Sequence, residues 1–312
     1  MIQLLIMVKG KQYDISELVY RLSFKDNLND GCGKLEFTYK NQDMDITNGS
    51  VVSFIYDASN IFYGYVFRVN KNKDNDISVT AYDQLRYCKF RDTVVISGDT
   101  VTTLVVKMCS TFKLKKGTLT ETGYKLATDV KDDTTWLDII YSGIKETKKN
   151  KGKQYVLRDE YGVICIRNTE DLQLNLILGD KSLVYDFTYD KTIDDKTYNQ
   201  IKLRLPGNGE SDSKFITQKD DDSISRYGVL QYYETLYNTN SSQAKEEAEE
   251  LLKLYNREAE TLTLSCLGDT RVRAGTSFYG KIEDIGYNKR LIVRSVTHNY
   301  LPIHTMEVEA ML

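Results

Sequence analysis

The residues able to do chemistry in this 312-residue chain are few and scattered. Its two histidines, His298 and His304, stand in THNYLPIHTM, across a turn at Pro302. Facing strands would bring them together, and two imidazoles supply half of a zinc site or the base of a hydrolase. No HExxH and no Asp or Glu at triad spacing accompanies them, so they read as strand-end histidines with no metal and no catalytic role. Five cysteines (Cys32, Cys88, Cys109, Cys165 and Cys266) are odd in number and form no CxxC pair. They suggest neither a disulfide framework nor a zinc knuckle, and read as small buried apolar side chains in a reducing compartment. A Cys–His peptidase would pair Cys266 with His298, yet Cys266 lies in the alternating run TLTLSCLGD, with no helix N-terminus to lower its pKa.

Nucleotide chemistry is equally unsupported. Gly143 and Gly152-Lys153 are too far apart for a phosphate-cradling loop, and there is no GxGxxG, so no cofactor is expected. The lysines at 145, 148, 149, 151 and 153 lack interleaved aromatics and fit a solvated helix end. Asp220-Asp221-Asp222 lacks the spacing of a calcium loop and fits a solvated loop. Lys+Arg 42 against Asp+Glu 45 leaves a net charge of −3, which offers no field for sequence-specific nucleic-acid binding. No run approaches 18 apolar residues, and Ile2–Val8 is too short for a secretion signal, so the expectation is a protein made in the cytoplasm with no membrane partner.

The elements that must position these residues follow from periodicity. At roughly 150 residues per domain the length suggests about two domains, and 41% hydrophobic residues with 23 Tyr give material for more than one core. Over the first ninety residues period-two runs alternate with turn clusters: 19–24, 34–39, 51–56, 62–69 and 77–82. From about 92 to 179 the period changes. Leu104, Val105, Met108, Cys109 and Phe112 follow Asp99, a candidate N-cap, at helical spacing. Trp136, Leu137, Ile140, Tyr141 and Ile144 predict a second helix, and 154–159 with 163–167 a hairpin around Glu160-Tyr161-Gly162.

An internal repeat organises the rest. Residues 19–39 resemble 184–205: Val19, Tyr20, Leu22 and Phe24 match Val184, Tyr185, Phe187 and Tyr189, while Leu35, Phe37 and Tyr39 match Ile201, Leu203 and Leu205. The strands at Gly49, Val66 and Val79 recur at Gly275, Val293 and Val308. The second copy carries an insertion at about 206–261, with the loop Pro206-Gly207-Asn208-Gly209, the acidic run, SISRYGVLQ and one helix at about 242–258. That helix aligns Ala244, Ala248, Leu251, Leu252, Tyr255 and Ala259, with Glu249 and Lys253 spaced as an ion pair. The expected fold is mainly β with an α+β insert. A first β-barrel module spans 1–91, an α+β middle domain 92–179, and a second, interrupted module 180–312.

The duplicated β-module around an α+β unit, the segment SISRYGVLQ before AKEEAEELLKLY, and the closing run AGTSFYGKIEDIGYNKRLIVRSVTHNYLPIHTMEVEAML resemble the baseplate hub proteins of contractile phage tails. The resemblance is closest to the hubs of Gram-positive myophages and PBSX-like tail particles, within the late control protein D-like superfamily. Its most specific positions are Tyr227, Gly228, Leu230 and Gln231, and His298, His304, Thr305 and Met306. It implies tail-tube-like β-barrels in a non-enzymatic homotrimer, a pseudo-sixfold ring joining a hexameric tail tube protein to a trimeric central spike protein. Baseplate wedge and tape measure proteins would be further contacts. Two other functions remain open at this level: a tail-associated peptidoglycan hydrolase using a histidine or carboxylate pair, and a carbohydrate-binding receptor module using tyrosine faces.

Overall fold

The computed structural model describes every residue except 41–43, 45, 195, 208–211 and 238. In the first ninety residues the alternating segments form β1 (Ile2–Val8), β2 (Lys11–Asp14), β3 (Val19–Asn27), β4 (Lys34–Lys40), β5 (Val51–Tyr56), β6 (Ser59–Lys71) and β7 (Asp76–Tyr82). They pair antiparallel in the order β3-β4-β7-β6-β5-β1-β2. Alternate side chains, among them Leu4, Ile6, Leu35, Phe37, Tyr39, Val52 and Phe54, point into one core. Asp57 and Ala58, both at positive φ, turn β5 into β6 with the twist a tight hairpin requires.

The middle stretch comprises β8 (Arg91–Ile96), α1 (Val101–Thr111), β9 (Lys116–Leu119), β10 (Asp129–Thr135), α2 (Trp136–Lys151), β11 (Tyr155–Asp159) and β12 (Ile164–Asn168). The N-cap of α1 is Thr100, in a reciprocal capping box with Thr103, rather than Asp99. Asp99 instead accepts from the Thr103 hydroxyl and the Lys107 ammonium. Helix α2 is capped by Thr135 and ends at Gly152 in the left-handed region, with Lys148, Lys149 and Lys151 in its last turn. Leu104, Met108, Trp136, Leu137, Ile140 and Ile144 meet Leu157 and Ile166 in a second core.

The remainder forms β13 (Gln173–Gly179), β14 (Val184–Thr192), β15 (Gln200–Leu205), β16 (Lys214–Lys219), α3 (Asp221–Tyr227), β17 (Gln231–Thr235), α4 (Ser241–Tyr255), β18 (Ala259–Leu267), β19 (Ser277–Ile282), β20 (Tyr287–Asn299) and β21 (Thr305–Met311). The chain divides into two compact units, Met1–Thr188 with Leu262–Leu312, and Tyr189–Thr261. The second unit begins before the expected 206 and holds two helices where one was expected. In it, β15 pairs antiparallel with β16 and parallel with β17, and Ala248, Leu251 and Leu252 of α4 cover Ile201, Leu203, Ile216 and Tyr232. Asp220 caps α3 rather than lying in a solvated loop, Ala259 belongs to β18, and Glu249 accepts a hydrogen bond from Gln218. Asn208 and Gly209 of the expected loop lie outside the described residues.

The duplication is visible in register, with one correction. Leu35–Ala81–Val66, Phe37–Val79–Val69 and Tyr39–Ile77–Lys71 are cross-strand rows over β4, β7 and β6. Leu262–Ala310–Val293, Leu264–Val308–Val296 and Cys266–Met306–His298 are the same rows over β18, β21 and β20. The counterparts of Leu35, Phe37 and Tyr39 are therefore Leu262, Leu264 and Cys266, not Ile201, Leu203 and Leu205. Alternation marks a strand but not its partner, and β15 satisfies the same pattern under α4. Both copies shift register at one point, between Val66 and Arg68 and between Val293 and Ser295.

The same latch opens both hairpins. Gly49 N–H donates to Val66 O at 2.8 Å and Gly275 N–H to Val293 O at 2.9 Å, with φ of +87° and +84°. An added Cβ at Gly49 meets nothing within 4 Å, whereas at Gly275 it falls 2.8 Å from Val156 Cγ1. Gly49→Ala should thus cost only the left-handed backbone strain, about 1–2 kcal/mol. Gly275→Ala should cost that and a core clash, about 3 kcal/mol together. Urea midpoints check this, and equal losses would show that the close approach to Val156 is relieved without cost.

Candidate assembly site: the seam between the modules

Strand β20 is long enough to serve both copies. Its first half pairs with β19, and its second half pairs with β3, Ser295 to Asn299 lying opposite Asn27 to Ser23. Leu28 N–H donates to Arg294 O at 2.8 Å and Tyr300 N–H to Leu22 O at 2.9 Å, closing the ladder at its ends. The two modules thus share one continuous sheet.

Beside this seam lies a buried ion pair. Asp26 Oδ2, on a residue 4% exposed, accepts from Arg273 Nε at 2.8 Å and from Ala274 N–H at 3.3 Å. Arg273 also donates to Asp159 O at 3.2 Å, and its guanidinium lies over the Phe24 ring. Burial works against the Arg273 charge, but Asp26, Asp83 and Asp159 outweigh it and hold its pKa up. Asp83 accepts from Gly33 N–H at 2.6 Å and Leu85 N–H at 3.0 Å, while Asp159 accepts from Gln84 N–H at 3.3 Å. Burial, reinforced by Asp159, pushes the Asp83 carboxyl well up, and burial takes Asp159 to about 6.

The structure brings the two histidines together here. His298 Nδ1 lies 3.0 Å from His304 Nε2, and His298 Nε2 lies 2.8 Å from Val272 O. A carbonyl only accepts, so the network assigns the proton of His298 to Nε2, and His304 Nε2–H donates to His298 Nδ1. Tyr300 stacks on His304 at 4.4 Å and Tyr56 meets its edge at 4.9 Å. At Gly268, a Cβ would come 2.2 Å from the His304 ring. Burial lowers the His298 pKa to about 4 and lowers that of His304. The pair is a neutral clamp, more deeply enclosed than strand ends require. Cys266 is separated from His298 by Met306, and burial pushes its thiol up to about 12, which suits packing rather than nucleophilic attack. Thr305 opens β21 opposite Leu267 and Asn299. Among the described residues no three His, Cys, Asp or Glu converge as metal ligands.

The other motif residues shape the unit Tyr189–Thr261. Tyr227 ends α3 and donates to Glu258, and Gly228 caps the helix at φ +78°. Leu230 N–H donates to Asn199 Oδ1 at 2.8 Å, and Asn199 Nδ2 donates to Gly228 O at 2.8 Å. Gln231 begins β17 and accepts from Gln200 Nε2. Asn199, fully buried, organises this turn. Sequence inspection passes over it, as it does Asp26 on β3 and Arg273 ahead of β19, because a single polar residue in a strand or a loop carries no periodic signal.

Two outcomes test the seam. Arg273→Met leaves Asp26 buried without its cation and should cost about 3–5 kcal/mol, read by urea unfolding. A wild-type midpoint would remove the pair from the stability of the seam. For His298, the unfolded imidazole takes up its proton near pH 6.5 and the folded one only near 4, so stability falls as pH drops through that window. Wild type should lose about 2 kcal/mol more than His298→Gln between pH 7 and pH 5. Parallel losses in the two proteins would contradict the neutral clamp.

A family model described as YQBQ-like matches residues 22–311. YqbQ of Bacillus subtilis (strain 168) is 29% identical over 271 residues, 85% of this chain and 81% of that protein. The phage-like element PBSX protein XkdQ of the same strain is 27% identical over 271 residues, 85% and 82% of the two chains. Among solved structures, the 43 kDa tail protein of prophage MuSo2 from Shewanella oneidensis superposes with a TM-score of 0.72 at 14% identity, covering 99% of this chain and 98% of that one. The shared fold is mainly β, with two tail-tube-like modules around an α+β unit. Since the family match runs from β3 through β21 and takes in both sides of the seam, the chain belongs to the YQBQ-like family.

Proposed function

We propose that this chain is the structural hub of a contractile-tail baseplate, three copies forming a pseudo-sixfold ring that joins a hexameric tail tube to a trimeric central spike. The observation that carries this is the duplication in register, two modules in which five strands, β3-β4-β7-β6-β5 and β14-β18-β21-β20-β19, follow the same order with the same cross-strand rows, joined edge to edge in one chain. Three such chains present six similar modules to a sixfold tube, while what differs between the copies repeats only three times and can meet a threefold partner. The names of the relatives support the setting: a phage-like element protein and a prophage tail protein.

In this proposal residues 1–91 and the barrel strands of 180–312 form the ring, 92–179 is the middle domain, and the segment interrupting the second module distinguishes that copy from the first. Tail tube and spike proteins are the direct partners, and wedge and tape measure proteins lie beyond them. The role is one of assembly, without catalysis, in a tail particle put together in the cytoplasm. Light scattering on the purified chain, alone and co-expressed with the tube and spike proteins, should give a particle containing three copies of the 35.9 kDa chain. A chain that stays single in the presence of both partners would overturn the proposal.

A further inference from the structure

The seam inside the chain has two unjoined counterparts, one along the second half of β6 and one along β14. On the side of β20 occupied first by β19, strand β3 takes over from Ser295 onward. In the first module β5 occupies the same side of β6 up to Tyr65, and Ser50 O then accepts from Val66 N–H. Beyond that point, among the described residues, β6 has only β7 beside it. By the cross-strand rows, Arg68, Val69, Asn70 and Lys71 are the equivalents of Ser295, Val296, Thr297 and His298. At the far end of the sheet β14, the equivalent of β3, has among the described residues only β18 beside it.

Burial records the missing neighbour. Ser295, Val296, Thr297 and His298 are half-buried or buried, whereas Arg68, Asn70 and Lys71 are exposed and Val69 is half-buried. Strands β3 and β14 share the same in–out alternation. Phe24 and Asp26 are buried where Tyr189 is half-buried and Lys191 exposed, and Ser23 is half-buried where Thr188 is exposed. Every one of these positions is less covered on the open edge than on the joined one. An open strand edge offers a row of backbone donors and acceptors and is normally covered or blunted.

We propose that the open edge of β6 in one copy of the chain pairs antiparallel with the open edge of β14 in the next, repeating the internal seam between chains. This rests on the ring proposed above and names the surface that closes it. Carrying over the register of the seam sets Arg68 opposite Thr192, Val69 opposite Lys191, Asn70 opposite Asp190 and Lys71 opposite Tyr189 of the next copy. Asp190 then lies diagonal to Arg68 on one face, within reach of its guanidinium. Lys191, diagonal to Lys71, is already paired with Glu260 at 3.2 Å. The bonds Leu28 N–H to Arg294 O and Tyr300 N–H to Leu22 O fix which pairs of the seam exchange hydrogen bonds. Thr297 and Lys25 form a pair that does not, so Asn70 and Asp190 inherit the closer spacing, near 4.5 Å between Cα atoms, that a disulfide tolerates.

The test is the full-length chain carrying both Asn70→Cys and Asp190→Cys, oxidised and run on a denaturing gel without reductant. The single variants and the parent, whose own cysteines are buried or half-buried, serve as controls. Links between chains in the double variant alone, in a ladder ending at three copies, are the expected result. A ladder running past three would overturn the closed pairing. Trimers by light scattering that fail to cross-link would overturn the edge pairing and leave the ring intact. Single chains even with tube and spike proteins present would overturn both. Val69→Pro gives an independent check, because the Val69 N–H points to the open edge and is not part of the ladder with β7. It should weaken self-association at least tenfold while the chain keeps its circular dichroism spectrum. Unchanged association would count against the pairing.

Discussion

One buried ion pair fastens three parts of the chain. Arg273, just ahead of β19, reaches Asp26 on β3 and the carbonyl of Asp159 at the end of β11, so the second module, the first module and the middle domain meet at a single guanidinium. An unpaired charge at that depth is costly, and each partner therefore constrains the other. An apolar trio could supply as much burial but would not fix direction. The planar fork of arginine accepts only one arrangement of its acceptors. The neighbouring carboxyls of Asp83 and Asp159 are held by backbone N–H groups of the elements they join, which extends the same directional control.

The two copies have diverged where their surroundings differ and stayed alike where the backbone demands it. The glycine latch and the register shift are the same in both, since each depends on main-chain geometry. Arg273 and Thr47 occupy one position by the latch, the first reaching across the seam and the second hydrogen-bonded within its own turn. Lys71 and His298 occupy another, one exposed and one enclosed by aromatic rings. Identical folds thus tolerate opposite chemistry at matched positions, according to whether another strand lies alongside.

The fold was legible in the sequence wherever side-chain period reports an environment. The strands from Val19 to Tyr82, both helices of the middle stretch and the helix at Ser241–Tyr255 follow from spacing alone. Pairing was not legible in the same way. Ile201, Leu203 and Leu205 alternate as a module strand would, and only the partners of β15 show that they belong elsewhere. The histidines could be seen as a pair across Pro302, but not the depth of their burial, because Tyr56 and Val272 come from distant parts of the chain. Asp26, Arg273 and Asn199 were invisible for a related reason: their meaning lies in long-range partners, which no local window contains.

The tethering of both modules in one polypeptide also has a kinetic consequence. The β20–β3 seam closes within a single molecule, at an effective concentration set by chain geometry and indifferent to how much protein is present. A six-module ring assembled from separate modules would need five bimolecular encounters, each sensitive to dilution, before its sixth joint closed within the assembly. Fusing the modules in pairs closes three of the six joints within single chains and leaves dilution only two encounters to act on.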